Sequence, residues 1–131
     1  MRGHNMIERV SLTSTRAPRA IGPYSPAVRA GSWVFISGQI GLDPVSGELV
    51  PGGFRAQAEQ ALHNLTALRD AAGKQAQVVK LTVYLAHMSD YALFNELMGA
   101  LWEPPYPARA VVGVAALPRE ALVEVDAIVS V

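Results

Sequence analysis

The chain has 131 residues, no cysteine, and 11 basic residues (Lys or Arg) against 11 acidic ones (Asp or Glu), so its formal net charge is zero. That length suits one domain spanning residues 1–131. The charge balance argues against a dedicated nucleic-acid or anionic-membrane binder, and the lack of cysteine excludes disulfides, thiolate catalysis and Cys-ligated metal.

The N-terminal stretch "MRGHNMIERVSLTSTRAP" has no apolar core of signal-peptide length and the chain has no long hydrophobic span, which reads as a cytoplasmic protein. Residues 1–6 read as a flexible N-terminus, and Met6 is an alternative start. "RAPRAIGPYSP" (16–26) is rich in Pro and Gly and reads as an ordered, irregular loop. "SWVFISGQI" (32–40) predicts a strand, and "DPVSGE" a hairpin tip or compact loop. In "FRAQAEQALHNLTALRDAAG", Ala58, Ala61, Leu62, Leu65, Leu68 and Ala72 recur at helical spacing, with Gly73 as C-cap. "VVKLTVYLAHM" alternates like a strand. "SDYALFNELMGALW" predicts a second helix with Ser89 or Asp90 as cap and Leu93, Phe94, Leu97 and Leu101 as its apolar stripe. "ARAVVGVAAL" and "ALVEVDAIVSV" predict the last two strands.

The order is β, β, α, β, α, β, β, which is an α+β pattern with helices laid on one face of a mixed sheet. With a period of two, Ala121, Val123, Val125, Ala127 and Val129 form a small apolar face suited to helix packing. The opposite face carries Leu122, Glu124, Asp126, Ile128 and Ser130. The middle strand splits in the same way, Val79, Leu81, Val83 and Leu85 against Lys80, Thr82 and Tyr84. Two helices cover one face only, so the mixed face implies a second copy of the chain and hence a homo-oligomer.

Familiar cofactor motifs are missing: there is no Walker A loop and no dinucleotide fingerprint. His4, His63 and His87 lack metal-ligand spacing. What remains is a set of polar residues on strand ends and in apolar runs. Arg109 enters a strand behind the prolines of "PPYPARAVVGV". It reads either as an ion-pair partner of Glu124 or Asp126, or as a clamp for a ligand carboxylate. Ser37 and Gly38 lie late in "VFISGQ", where a ligand can approach the backbone closely. Ser37 reads otherwise as a satisfied strand serine, and Tyr24 as a packing aromatic. Asn95 lies off the Leu93/Leu97/Leu101 stripe, facing solvent or a partner subunit.

Several segments, in order and spacing, resemble the Rid family of reactive-intermediate (enamine/imine) deaminases, also called YjgF-like proteins. They are "IGPYSPAV", "VFISGQI", "DPVSGELV", "AQAEQALHNL", "VVKLTVYLAHMSDYALFNE", "YPARAVVGVAALP" and "LVEVDAI", and together they span about Arg16 to Val131. The resemblance implies a chorismate-mutase-like α+β fold and a homotrimer with a central barrel, with the active sites in clefts between subunits. It implies hydrolysis of 2-enamine/2-imine acids to 2-keto acids and ammonia, without a cofactor or metal. Arg109 is then the carboxylate binder, Glu124 and Ser37 position or activate water, and Tyr24 closes the pocket. Asn95 comes near the cleft from a neighbouring subunit, and backbone amides near Gly38 and Val111 help hold the carboxylate. Two positions depart from the family pattern: Val111 replaces a common cysteine, and Ala116 a frequent arginine. Two rivals follow from the same resemblance, a non-enzymatic trimer binding small carboxylates and an RNA-cleaving or translation-inhibiting protein; zero net charge and sparse aromatics weigh against the latter.

Overall fold

The computed structural model describes residues 7–131. The expectations for residues 1–6, His4 among them, lie outside these. Six strands form one sheet: β1 (Arg9–Leu12), β2 (Ala27–Ala30), β3 (Trp33–Gln39), β4 (Gln77–Leu85), β5 (Ala108–Gly113) and β6 (Val123–Ser130). Their spatial order is β1-β2-β3-β6-β4-β5. All neighbours are antiparallel except β4 and β5, which are parallel. Helix α1 (Gly53–Ala71) and helix α2 (Tyr91–Leu101) cover one face.

The sheet's inner face is built by the predicted alternation. Val123, Val125, Ala127 and Val129 on β6 are buried, as are Leu81, Val83 and Leu85 on β4. They pack with Leu62, Leu65 and Leu68 of α1 and Phe94 and Leu97 of α2 in one core. Each large apolar side chain buried there contributes on the order of 1.5–3 kcal/mol.

Three strands, not two, precede α1, because the short segments "RVSL" and "AVRA" also join the sheet edge. Val79 does not share the face of Leu81. A register shift between Val78 and Lys80 turns Val78 toward the core and leaves Val79 exposed. A bulge inserts one residue and breaks the period of two. In α2 the buried side chains are Phe94, Leu97 and Met98, while Leu101 is 42% exposed at the helix end. The chain enters α2 through a 3-10 turn at Met88–Asp90, and neither turn nor helix has a side-chain cap. At the end of α1 the cap position is Ala72; Gly73 follows with φ 132°, a conformation glycine adopts without Cβ strain. The last two strands are shorter than predicted. β5 stops at Gly113, whose Cα lies so close to Met88 that an added Cβ would stand 2.9 Å from its Cγ. β6 starts only at Val123, after a tight turn at Pro118–Glu120.

"DPVSGE" is a compact loop. The Asp43 carboxylate accepts the backbone N–H groups of Val45 (2.8 Å) and Ser46 (3.0 Å), and Leu42 and Leu49 pair across its base. Those bonds hold the Asp43 carboxyl below its usual pKa. The second sheet face carries Trp33 and Phe35, each nearly half exposed, beside Tyr84 and Asp126.

Candidate active site

Two groups of residues stand out, one at the middle of the sheet and one at its edge. In the middle, β3 carries a bulge: Ile36 pairs with Ala127, but the next register pair is Gln39 with Val125. Ser37 and Gly38 form the extra step, beside Glu124 on β6. The Glu124 carboxylate lies directly over Gly38. A Cβ at that position would stand 2.9 Å from its Cδ and overlap a carboxylate oxygen. Glycine is thus required here by close approach, not by backbone conformation.

Glu124 lines a cavity of about 130 Å³ with Tyr24, Gly38, Gln39 and Ile40. Burial raises the Glu124 pKa, and the nearby Asp126 carboxylate raises it further. Asp126 is held by the Tyr84 hydroxyl, which donates to it at 2.8 Å. That bond, with burial and both carboxylates, raises the Tyr84 pKa. A half-buried carboxyl that takes up a proton readily suits general acid–base chemistry.

Tyr24 stands at the mouth of this cavity, 51% exposed. Ser37 donates from its hydroxyl to the Ser25 carbonyl at 2.6 Å, and its backbone N–H donates to the Pro26 carbonyl at 2.9 Å. It ties the "GPYSP" loop, which carries Tyr24, to the bulge beside Glu124.

At the edge, Arg109 pairs in register with Leu81 and therefore projects on the helix side of the sheet. Its guanidinium donates to the Tyr91 hydroxyl at 3.2 Å and contacts the Met98 sulfur at 3.6 Å, with the Tyr91 ring centroid 5.7 Å away. Among the described residues no carboxylate lies within ion-pair distance of it. The pairing with Glu124 or Asp126 considered from sequence is absent within the chain, because both acids lie on the opposite sheet face. A guanidinium has five N–H donors; two engage α2, so the rest remain for an incoming carboxylate. Asn95 is exposed on α2 and lines a cavity of about 310 Å³ with Arg109, Met98 and Tyr106. Val111 is half-buried beside Val83 and packs against the core. The Val114 N–H bonds Leu85 across the parallel ladder. Alternation along the ladder then turns the Val111 amide outward, to the free edge.

Comparison with known proteins decides the family. The family model described as Endoribonuclease L-PSP matches residues 14–131. The chain belongs to this family, the Rid or YjgF-like proteins. It is 50% identical over 123 residues to the 2-iminobutanoate/2-iminopropanoate deaminase of Mus musculus, covering 93% of this chain and 91% of that protein. The crystal structure of RidA from the Antarctic bacterium Psychrobacter sp. PAMC 21119 superposes with a TM-score of 0.89 at 46% identity, covering 93% of this chain and 99% of the other. E. coli TdcF with bound serine gives a TM-score of 0.87 at 37% identity, covering 93% and 98%.

Within one copy of this Rid-family chain, Tyr24, Ser37, Gly38 and Glu124 come together. Arg109, Asn95 and the Val111 edge form a separate group. Sequence reading missed four supporting residues. Asn64, fully buried on α1, donates to the carbonyls of Ile40 (3.2 Å) and Leu42 (3.0 Å), and Gln57 accepts the Leu122 N–H at 2.8 Å. These two side chains pin α1 to the segments that flank the cavity. Tyr91 and Met98 orient Arg109. The signal for Asn64 and Gln57 was present in the helix, as polar residues at positions that belong to its buried stripe. Nothing in the one-dimensional pattern tied Tyr91 to Arg109. Among the described residues no group of three or more His, Cys, Asp or Glu could hold a metal ion, and no helix is long and apolar enough to cross a membrane.

Proposed function

We propose that the protein hydrolyses 2-imino acids and their 2-enamine tautomers, of the 2-aminoacrylate/2-iminopropanoate type, to 2-keto acids and ammonia. One observation carries the assignment: Arg109, held by α2 at a free sheet edge, has no carboxylate partner among the described residues, while Glu124 lines a small cavity on the other sheet face. The deaminases among the relatives support the choice of substrate. A homotrimer places the edge of one copy against the bulge of the next, so that Arg109, Asn95 and the Val111 amide complete the cavity of Tyr24, Ser37, Gly38 and Glu124. The exposed Trp33 and Phe35 on the uncovered face support such an assembly, since apolar surface of this kind is stabilised by burial. The reaction takes place in the cytoplasm, where pyridoxal-phosphate dehydratases release such imines.

In that cleft Arg109 binds the substrate carboxylate through parallel charge-assisted hydrogen bonds. The Gly38 and Val111 amides assist. Binding fixes C2 next to a water molecule, which is the orientation contribution to rate. The water attacks C2 as Glu124 takes its proton, and the C=N bond becomes a C–N single bond. Glu124 then returns the proton to nitrogen. Glu124 next takes the hydroxyl proton of the resulting carbinolamine and passes it to the amine, and ammonia leaves as the C–O bond becomes a carbonyl. Water and imino acid enter, keto acid and ammonia leave, and no oxidation state requires a redox partner. Ser37 holds the loop and the water-side backbone, and Tyr24 closes the mouth.

Keto-acid release from enzymatically generated 2-iminopropanoate tests this directly. Wild type accelerates it and Arg109→Ala does not; equal acceleration by both removes the mechanism. The bound serine of the E. coli relative favours a second reading, a carboxylate-binding trimer without turnover. Tight keto-acid binding with no rate enhancement selects it. The family description favours RNA cleavage as a third; absence of RNA binding even at low salt eliminates it.

A further inference from the structure

The cavity of Glu124 does not end at Tyr24. Arg19 and Arg119 also line it, and the same two arginines line an adjoining outer cavity of about 400 Å³. The outer cavity is otherwise formed by apolar side chains such as Ile21 and Leu42, with Ser46 and no carboxylate in its lining. Arg19 makes no hydrogen bond or ion pair among the described residues. Arg119 holds only loosely to its surroundings: 3.4 Å to the Gly47 carbonyl, and 3.7 Å to Glu48, which is itself largely exposed. Neither guanidinium forms an ion pair with Glu124 among the described residues. So the positive charge at the seam between the two cavities is not spent on the catalytic carboxylate.

The backbone is also set for it. Arg119 (φ 60°) and Glu120 (φ 57°) are consecutive left-handed residues that are not glycine. Such a conformation is strained for a residue with a Cβ, and strain of this kind clusters at ligand sites. Here it turns the chain at Pro118–Glu120 so that Arg119 lines both cavities. Two guanidinium groups with free donors, beside an apolar wall, fit a second planar anion on a short carbon chain.

We propose that Arg19 and Arg119 form a second anion subsite that selects 2-imino acids bearing a carboxylate on the side chain, of the kind formed from aspartate or glutamate. The subsite rests on the deaminase function above: Arg109 of the neighbouring copy takes the α-carboxylate, Glu124 serves C2, and the distal carboxylate replaces Glu48 on Arg119.

The test compares 2-iminopropanoate with 2-iminoglutarate, generated in place from alanine and glutamate by amino-acid oxidases, and separately the binding of pyruvate and 2-oxoglutarate by calorimetry. The variant is Arg19→Gln with Arg119→Gly; glycine at φ 60° relieves strain, so folding is retained. Loss of two charge-assisted contacts lowers kcat/KM for 2-iminoglutarate relative to 2-iminopropanoate by about a hundredfold, and weakens 2-oxoglutarate relative to pyruvate by a similar factor. An unchanged ratio in both measurements overturns the subsite. So does equal loss on both substrates, because the arginines would then serve the part the substrates share. Selective binding without any turnover by wild type keeps the subsite and defeats the deaminase assignment instead.

Discussion

Glu124 sits on a central strand, flanked by β3 and β4, whereas Arg109 sits on β5, which has a neighbour on one side only. The two residues solve opposite problems. A carboxylate in mid-sheet has its position fixed by the ladder, and the fold must make room for it; Gly38 and the bulge do that. A guanidinium at an edge has room but no frame, and Tyr91 and Met98 of α2 supply one. In the proposed mechanism the middle of the sheet is a finished half-site, with a cavity, a perturbed carboxyl and Tyr24 lining it. The edge is an unfinished one, with spare donors and an outward amide that meet no carboxylate among the described residues. In the proposed trimer the difference gives the partner its place: at the edge, and against the bulge.

The largest expected effects come from deleting the chemistry of either half. Glu124→Gln removes the proton relay and should lower kcat/KM on the order of 10²–10⁴-fold. Arg109→Ala should cost about a hundredfold, through loss of charge-assisted bonds to the substrate. Both variants should keep the proposed oligomer, as judged by light scattering, since neither residue makes an ion pair among the described residues. Gly38→Ala asks whether the middle half-site depends on close approach. A methyl group there displaces the Glu124 carboxylate, and activity should fall at least about tenfold with a stability loss on the order of 1–3 kcal/mol in chemical denaturation. Full activity in Gly38→Ala would mean that Glu124 need not lie over the bulge. Asn64→Ala sharpens the comparison further, because Asn64 supports only the middle. It should cost about 1–3 kcal/mol for the buried carbonyls left unpaired, and calorimetric binding of a keto acid should weaken while the Arg109 edge is untouched.

Smaller effects follow from charge. The Asp126 carboxylate disfavours ionisation of Glu124, so Asp126→Asn should move the acidic limb of the kcat/KM profile to lower pH. The move should be partial, since burial is the larger cause. The stability linkage has the same origin. A carboxyl whose folded pKa is raised binds its proton more tightly folded than unfolded, so stability falls as pH rises from the unfolded value through the folded one. Glu124→Gln removes that loss. Its melting temperature should therefore equal or exceed that of wild type at pH 7, and the advantage should vanish at pH 4, by calorimetry at the two pH values.

Much of the middle half-site was legible in the sequence. The alternation of "LVEVDAIVSV" put Glu124 and Asp126 on one face, and "SGQ" marked a place where backbone and ligand come close. Glycine beside a polar strand position carries that information in one dimension. The edge half-site was less legible. Proline before Arg109 showed that a strand begins there, but not that it is an edge strand parallel to β4. The choice between an ion pair and a ligand clamp depends on which sheet face Arg109 shares, and face depends on register across strands distant in sequence. For the same reason the bulge at Val79 escaped a strict period of two, and the short strands β1 and β2 were given no range, two strands being expected before α1 where three form. Four residues carry too little periodicity to be seen before pairing. The start of α2 was placed correctly, with Asp90 at the N-cap position. Its side chain makes no capping hydrogen bond, because the chain enters through a 3-10 turn at Met88–Asp90 whose backbone bonds take that role.

The central claim is that Arg109 of one copy serves Glu124 of another, and subunit mixing tests it most directly. Arg109→Ala and Glu124→Gln chains, each inactive alone, are co-expressed at equal amounts and assayed with 2-iminopropanoate. Random assembly gives each cleft a sound Arg109 from one parent and a sound Glu124 from the other in about one case in four, so about a quarter of wild-type activity should return. Activity that stays at the level of the two parents would contradict the claim, because both residues would then have to act from the same chain.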